Sequence, residues 1–231
     1  MATDVSLSAA RDLPTGMVTF LFTDIQGSTP LWEQHPAAMK LAVALHHKIV
    51  RHALEANGGV IFKIIGDAFQ AAFPLTGEAL AAAVAAQREL QSAEWPTSTG
   101  ALAVRMGIHV GPAEVERTTG GADYAVSHTL NRVARIMSAG QGGQILLSRE
   151  AADLIDHDLP TDIFLRDLGD HQLKGMARPE RLFQVNAPGL PQDFGPLAAS
   201  LSVKSNLPAA LTSFIGRETE LQSLQNLLAG G

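Results

Sequence analysis

Two aspartates have the residue type and setting for phosphate chemistry. Asp24 follows Val18-Thr19-Phe20-Leu21-Phe22-Thr23 and precedes Ile25-Gln26-Gly27-Ser28-Thr29. Asp67 follows Ile61-Phe62-Lys63-Ile64-Ile65-Gly66. Each preceding run is apolar, β-branched and aromatic, so each aspartate is expected at the C-terminal end of a buried strand. After Asp24 come a glycine, two hydroxyl residues and a helical stretch. That order makes a tight turn and a helix N-terminus, where backbone N–H groups can meet phosphate. Mg²⁺ is held by one or two carboxylates together with substrate phosphates, so the pair is a candidate Mg²⁺ site. Either aspartate alone would more often cap a turn. Both together, with Lys63 close by, favour the metal.

The elements that must position these residues follow from periodicity. Met17–Thr23 reads as a strand. Ala37–Asn57 reads as a long helix with Leu41, Leu45 and Ile49 on one face, ended by Asn57-Gly58-Gly59. Val60–Ile65 and Ala68–Phe73 read as a hairpin with Gly66-Asp67 at its tip. Glu78–Leu90 is helical, Leu102–Val110 a strand, His128–Ser138 a helix and Gln144–Leu147 a short strand. Arg149–Ile155 is a short helix, and Ile163–Leu173 and Leu182–Val185 are late strands. Alternating helices and strands imply a layered sheet with helices on one face.

The chain has 231 residues, 46% hydrophobic and 17% charged, a globular balance. Its net charge of −6 argues against a general nucleic-acid or anionic-membrane binder. With no cysteine, disulfides, thiol catalysis and Cys-based zinc sites are excluded. No apolar run reaches the ~18 residues a membrane span needs. A cytoplasmic setting is expected, with no nucleic acid and no membrane as partners. Residues 1–15 read as a flexible leader, 16–186 as the folded domain, and 187–210, rich in Pro, Ala and Ser, as a linker. Residues 211–231 regain a helical pattern and read as the start of a truncated C-terminal module.

Four motifs recur in order: Phe22–Thr29, Lys63-Ile64-Ile65-Gly66-Asp67, Arg105-Met106-Gly107-Ile108-His109-Val110-Gly111-Pro112 and Asn131-Arg132-Val133-Ala134-Arg135. Together they resemble the catalytic domain of class III nucleotide cyclases, over about Val18 to Val185. The short tail Phe214-Ile215-Gly216-Arg217-Glu218 resembles the start of the ATPase module in large bacterial transcription regulators that carry such a domain in front. The resemblance implies an α+β, ferredoxin-like sandwich with a mainly antiparallel sheet and helices packed on it. It implies an adenylate cyclase that converts ATP to 3′,5′-cyclic AMP and pyrophosphate.

By the same resemblance, Asp24, Asp67 and the Ile25 backbone hold two Mg²⁺ or Mn²⁺ ions per site. Gly27, Ser28 and Thr29 lie in the phosphate-binding segment. Lys63 reads the base, Asn131 and Arg135 act on the ribose and the transferring phosphate, and Lys174 meets the terminal phosphates. The implied assembly is a symmetric homodimer with sites at the subunit interface, Asp24 and Asp67 from one chain and Asn131 and Arg135 from the other. Asn131 and Arg135 are four apart, so they share a helix face, while Arg132 points another way and is read as structural.

One position departs from the family. A second base-reading residue, Asp or Thr, stands seven before the asparagine; here that place holds Tyr124, with Asp123 one earlier. Either a one-residue bulge brings Asp123 into place, or the base contact is altered. The departure keeps open a rival reading, a non-catalytic nucleotide-binding and dimerisation module that regulates a C-terminal domain. A polymerase-like palm is a third reading that nothing in the acidic chain supports. The histidines show no ligand spacing: His46, His47 and His52 are expected at the surface of the long helix, and His109 in a structural role. Trp32 and Trp95 are expected to pack.

Overall fold

A computed structural model describes residues 12–198 apart from 119, 120 and 156. Most of the leader, the linker beyond 198 and the 211–231 module lie outside the described residues. The elements are β1 (Gly16–Ile25), α1 (Ser28–Gln34), α2 (Pro36–Ala56), β2 (Val60–Ile65), β3 (Ala68–Phe73), α3 (Thr76–Ser92) and β4 (Val104–Ala113). Then come β5 (Val115–Thr118), β6 (Gly121–Tyr124), α4 (His128–Ala139), β7 (Ile145–Ser148), α5 (Arg149–Ile155), β8 (Phe164–His171) and β9 (Glu180–Asn186).

Seven strands form one sheet in the order β2-β3-β1-β4-β7-β9-β8. Strands β1 to β4 with α2 and α3 make a βαββαβ unit, all antiparallel, as in ferredoxin-like folds. β7 adds to β4 in parallel, and β9 and β8 follow antiparallel. The expected α+β architecture with a mainly antiparallel sheet is what the chain adopts.

The strands alternate two buried faces. Leu21, Ile25, Phe69, Ala71, Phe73, Met106 and Ile108 join α2 and α3 in the main core. Val18, Phe20, Phe22 and Ala72 face the other way, packing with Val133 of α4 and with Tyr124. Helices therefore cover both faces, not the single face expected, and β1 is accordingly buried at every position from Val18 to Thr23. α4 lies close on β4: a Cβ added at Gly107 would come within 2.6 Å of the Met137 amide nitrogen.

Local expectations need three corrections. α2 buries Met39, Ala42, His46, Ile49, Val50, Ala53 and Leu54, leaving Leu41 exposed. The stripe was obscured because His46, a polar residue type, sits at its centre. His46 is fully buried, and among the described residues neither ring nitrogen has a hydrogen-bond partner. Burial, with His47 beside it, pushes its pKa down to about 3, so it is neutral. Trp95 packs as expected and donates Nε1–H to the Leu90 carbonyl at 2.9 Å, whereas Trp32 is exposed. The first part of the segment read as linker is laid on the domain. Ala187, Leu190 and Leu197 are buried, and Ala198 N–H donates to the Ala139 carbonyl at 2.9 Å. Among the described residues no helix is long and apolar enough to cross a membrane.

Candidate active site

Asp24 lies within β1, one residue before its end, and its register partner on β4 is Arg105. Opposed charges across an antiparallel pair attract. Here Arg105 Nε donates to Asp24 Oδ2 at 2.9 Å, and Nη2 donates to the same oxygen. Arg105 Nη1 also donates to the Ser138 carbonyl at 3.3 Å, which ties β4 to the end of α4.

Asp67 sits in the β2–β3 turn, opened by Gly66 at φ 61°. The turn is held from two sides. Ile25 N–H donates to Asp67 Oδ2 at 3.3 Å, and His47 Nε2 of α2 is 3.1 Å from the Gly66 carbonyl, to which it donates. Burial lowers the His47 pKa, and the Gly66 bond opposes that shift. Thus the structure brings Asp67 and Ile25 together beside Asp24. The other oxygen of each carboxylate accepts no hydrogen bond among the described residues.

Those two oxygens suit a hard divalent cation. The described residues hold no cluster of three or more His, Asp or Glu side chains arranged for a metal. Mg²⁺ asks for less, because water and substrate phosphate complete its shell. Asp24, Asp67 and the Ile25 carbonyl are oxygen donors of the kind such an ion takes.

The segment after β1 enters α1 through Gly27, at φ 71° with no side-chain cap. The side chains of Ser28 and Thr29 make no hydrogen bond among the described residues. Gln26 is committed elsewhere: its N–H donates to the Ala103 carbonyl, and its Oε1 accepts from Gly142 N–H at 2.6 Å.

Lys63, on β2, is 3.0 Å from Asp123 Oδ2 on β6. The β5–β6 hairpin that delivers Asp123 is the largest element the sequence reading missed. The sequence Thr119-Gly120-Gly121, which follows β5 and runs into β6, is a turn signal that could have revealed it. Tyr124 does not take the base-reading place. It is buried among Phe20 and Phe62, edge-on to both, and donates its hydroxyl to the Pro14 carbonyl at 2.7 Å. Burial raises its pKa, so it stays a neutral donor. The geometry places Asp123 beside Lys63, and it does so on a hairpin whose register carries no bulge.

Asn131 and Arg135 project from α4, both exposed, and neither side chain has a hydrogen bond or ion pair among the described residues. Lys174 is likewise exposed and unpartnered. Gly175 lies against Arg135: an added Cβ would be 3.8 Å from Nη2. The structure does not bring Asn131, Arg135 or Lys174 into contact with Asp24, Asp67 or Lys63 within the chain.

Arg105 is the site residue that sequence reasoning did not single out, although it opened a quoted motif. The available signal was register. A strand ending in Asp24 beside one opening on Arg105 sets the charges opposite each other.

The chain matches the family described as "Adenylate and Guanylate cyclase catalytic domain" over residues 12–187. An uncharacterised protein of Mycobacterium tuberculosis is 37% identical over 218 residues, covering 93% of this chain and 72% of that protein. The adenylate cyclase of Neurospora crassa is 31% identical over 230 residues, covering 78% of this chain and 10% of that protein. Among solved structures, an adenylate cyclase from Trypanosoma brucei superposes with TM-score 0.71 at 28% identity, covering 85% of this chain and all of that one. The adenylyl cyclase CyaB from P. aeruginosa gives TM-score 0.63 at 25% identity, covering 80% and 100%. This chain belongs to the adenylate and guanylate cyclase catalytic domain family.

Proposed function

We propose that the chain is an adenylate cyclase that converts ATP to 3′,5′-cyclic AMP and pyrophosphate. The observation that carries this reading is the Lys63–Asp123 pair at 3.0 Å, adjoining a strand end with two carboxylates. The pair offers one donor and one acceptor. Adenine presents the complement, a ring-nitrogen acceptor beside an amino donor. Guanine presents a carbonyl acceptor and a ring N–H donor in the reverse order. A fixed pair therefore favours adenine.

In the reaction the ribose 3′-hydroxyl attacks the α-phosphate in line, and pyrophosphate leaves. Asp24, Asp67 and the Ile25 carbonyl would hold Mg²⁺ or Mn²⁺, which when bound would supply Lewis acidity and neutralise triphosphate charge. Arg105 holds one Asp24 oxygen, which fixes the direction of the other. The amides at the start of α1 and the Lys174 ammonium receive phosphate charge. Asn131 orients the ribose, and Arg135 stabilises charge developing on the transferring phosphate. Since Asn131 and Arg135 do not reach the aspartates within one chain, two chains complete each site as a symmetric homodimer.

One observation favours the rival reading. Arg105 already neutralises Asp24, an arrangement a nucleotide-binding module without turnover would also tolerate. A single experiment separates the two: incubate the purified chain with ATP or GTP and Mn²⁺ or Mg²⁺, and assay both cyclic products. Cyclic AMP formed faster than cyclic GMP supports the proposal. Nucleotide binding without either product supports the rival.

A further inference from the structure

Arg132 lies on α4 between Asn131 and Arg135 but is engaged elsewhere. Its guanidinium forks onto Glu180, Nε to Oε2 at 2.7 Å and Nη2 to Oε1 at 2.7 Å. Nη2 also reaches Glu150 Oε1 at 2.8 Å. The Glu180 side chain is 2% exposed, against 45% for Glu150. A buried carboxylate gripped by two parallel N–H bonds fixes direction as well as distance.

The position of Glu180 gives that joint its reach. It opens β9, directly after the 172–179 segment that carries Lys174. Within that segment Gly175 lies against the Arg135 guanidinium. One ion pair therefore ties α4, with Asn131 and Arg135, to the segment with Lys174. We propose that Arg132 and Glu180 are a positioning pair for these three residues. They set the rotation of α4 about its axis and its spacing from the Lys174 segment, without touching nucleotide. This rests on the cyclase reading above.

Helical geometry explains why the joint matters. At about 100° per residue, Arg132 lies between the seated face of α4 (Thr129, Val133, Ile136) and the face of Asn131 and Arg135. Apolar contacts hold the seated face but are non-directional. A rotation of about 20° at a side-chain radius of about 5–6 Å moves a functional group by about 2 Å. Misplacement of about 1 Å can cost about 10²-fold in rate.

The test uses the full chain and Glu180→Gln, which keeps shape and removes charge. Its kcat for cyclic AMP should fall at least ~10-fold, with KM for ATP and the Mn²⁺ half-saturation unchanged within about twofold. Glu150→Gln, at the exposed carboxylate, should change kcat by less than about threefold. Subunit mixing adds a readout that a general folding defect would not give. Glu180→Gln mixed with Asp67→Ala should regain activity, and mixed with Arg135→Ala should not, because the pair serves only the α4 of its own chain. If Glu180→Gln does not fold, Arg132→Lys keeps the charge, loses the fork, and should give an intermediate kcat at unchanged KM. An unchanged kcat in a turning-over protein overturns the proposal alone, as does a KM that moves as much as kcat. Absence of turnover in the unmodified chain overturns the cyclase reading, and the proposal with it.

Discussion

At the ends of β1 and β2 every charged side chain of the site already has a partner, whereas Arg135 on α4 and Lys174 in the 172–179 segment have none among the described residues. Asp24 is held by Arg105, Asp67 by the Ile25 amide and Lys63 by Asp123. Asn131, Arg135 and Lys174 reach into solvent. Burial accounts for part of the contrast. The Asp24 and Arg105 side chains are three-quarters or more buried, so leaving either charge alone would be costly. The α4 residues are exposed and bear no such cost. On the cyclase reading the difference separates two tasks. The strand-end group is preorganised to receive cations and a base, and the α4 group is completed only when nucleotide and a second chain arrive.

The largest expected effect tests the preorganised half. Asp24→Ala or Asp67→Ala should remove turnover by at least ~10³-fold, since either removes most of the metal's hold on the triphosphate. The fold should persist in Asp67→Ala, whose side chain is outside the core clusters, whereas Asp24→Ala also strands the Arg105 guanidinium and should lower the melting temperature while leaving the secondary structure in place. Circular dichroism and a cyclic AMP assay on the same preparation check this. Near-normal turnover in either variant would break the metal assignment.

Each half also rests on a buried neutral histidine, and this sharpens the comparison. His46 packs edge-on to Phe69 at the foot of the Asp67 turn, with no partner for either nitrogen among the described residues. His109, below α4, has Nδ1 2.8 Å from the Ser148 hydroxyl. Its pKa is pushed down to about 4 by burial, with the Arg132 charge nearby. Both folded-state values lie below the unfolded value of 6.5. As pH falls below about 6.5 the unfolded chain takes up protons that the folded chain refuses, so stability is lost. The loss continues until pH reaches the folded values and is on the order of a few kcal/mol for each histidine. Thermal melts between pH 7 and 5 should show it, and His46→Leu or His109→Leu should each flatten the slope. At pH 7 the two should differ. His46→Leu removes unpaired buried nitrogens and should be neutral or stabilising, whereas His109→Leu should cost about 1 kcal/mol, since the Ser148 hydroxyl loses one partner and keeps the Ala151 amide. Equal effects at pH 7 would show that the contrast in partners is unimportant.

Much of this arrangement was legible in the sequence because it is local. The strand before Asp24, the Gly66-Asp67 hairpin tip and the four-residue step from Asn131 to Arg135 follow from periodicity and turn chemistry. What escaped is nonlocal. Arg105 became part of the site only through the β1–β4 register. Asp123 could be set beside Lys63 only once the β5–β6 hairpin was placed. His46 was misjudged because helical spacing says which face a residue shares, while residue type suggested the wrong environment for that face. The second layer of helix on the sheet, α4, depends on Gly107, whose missing side chain allows the approach but announces nothing in one dimension.

A smaller effect separates base recognition from the rest. Lys63→Glu should break the pair with Asp123 and place two carboxylates together. ATP use should weaken, and GTP use should rise, by an amount set by one partly exposed polar contact, about 1–3 kcal/mol. The switch is therefore expected to be partial, read as the ratio of kcat/KM for the two nucleotides. Equal rates with ATP and GTP in the unmodified chain would remove Lys63 from base selection while leaving the two halves otherwise as described.

The smallest effect is the most direct test of whether the halves belong to different chains. Asp67→Ala and Arg135→Ala should each be nearly inactive as homodimers, because every site lacks one member. Mixed together they form heterodimers in which one site carries both defects and the other carries none. With random exchange about half the dimers are mixed, each with one intact site of two. Activity should return to roughly a quarter of the unmodified level by symmetry. Recovery requires that Arg135 serve the aspartates of the partner, which matches its lack of an ion pair or hydrogen bond among the described residues. If exchange is verified and activity stays absent, each site is closed within one chain. α4 would then have to move toward the strand ends, against the close contact at Gly107 and the Arg132–Glu180 fork.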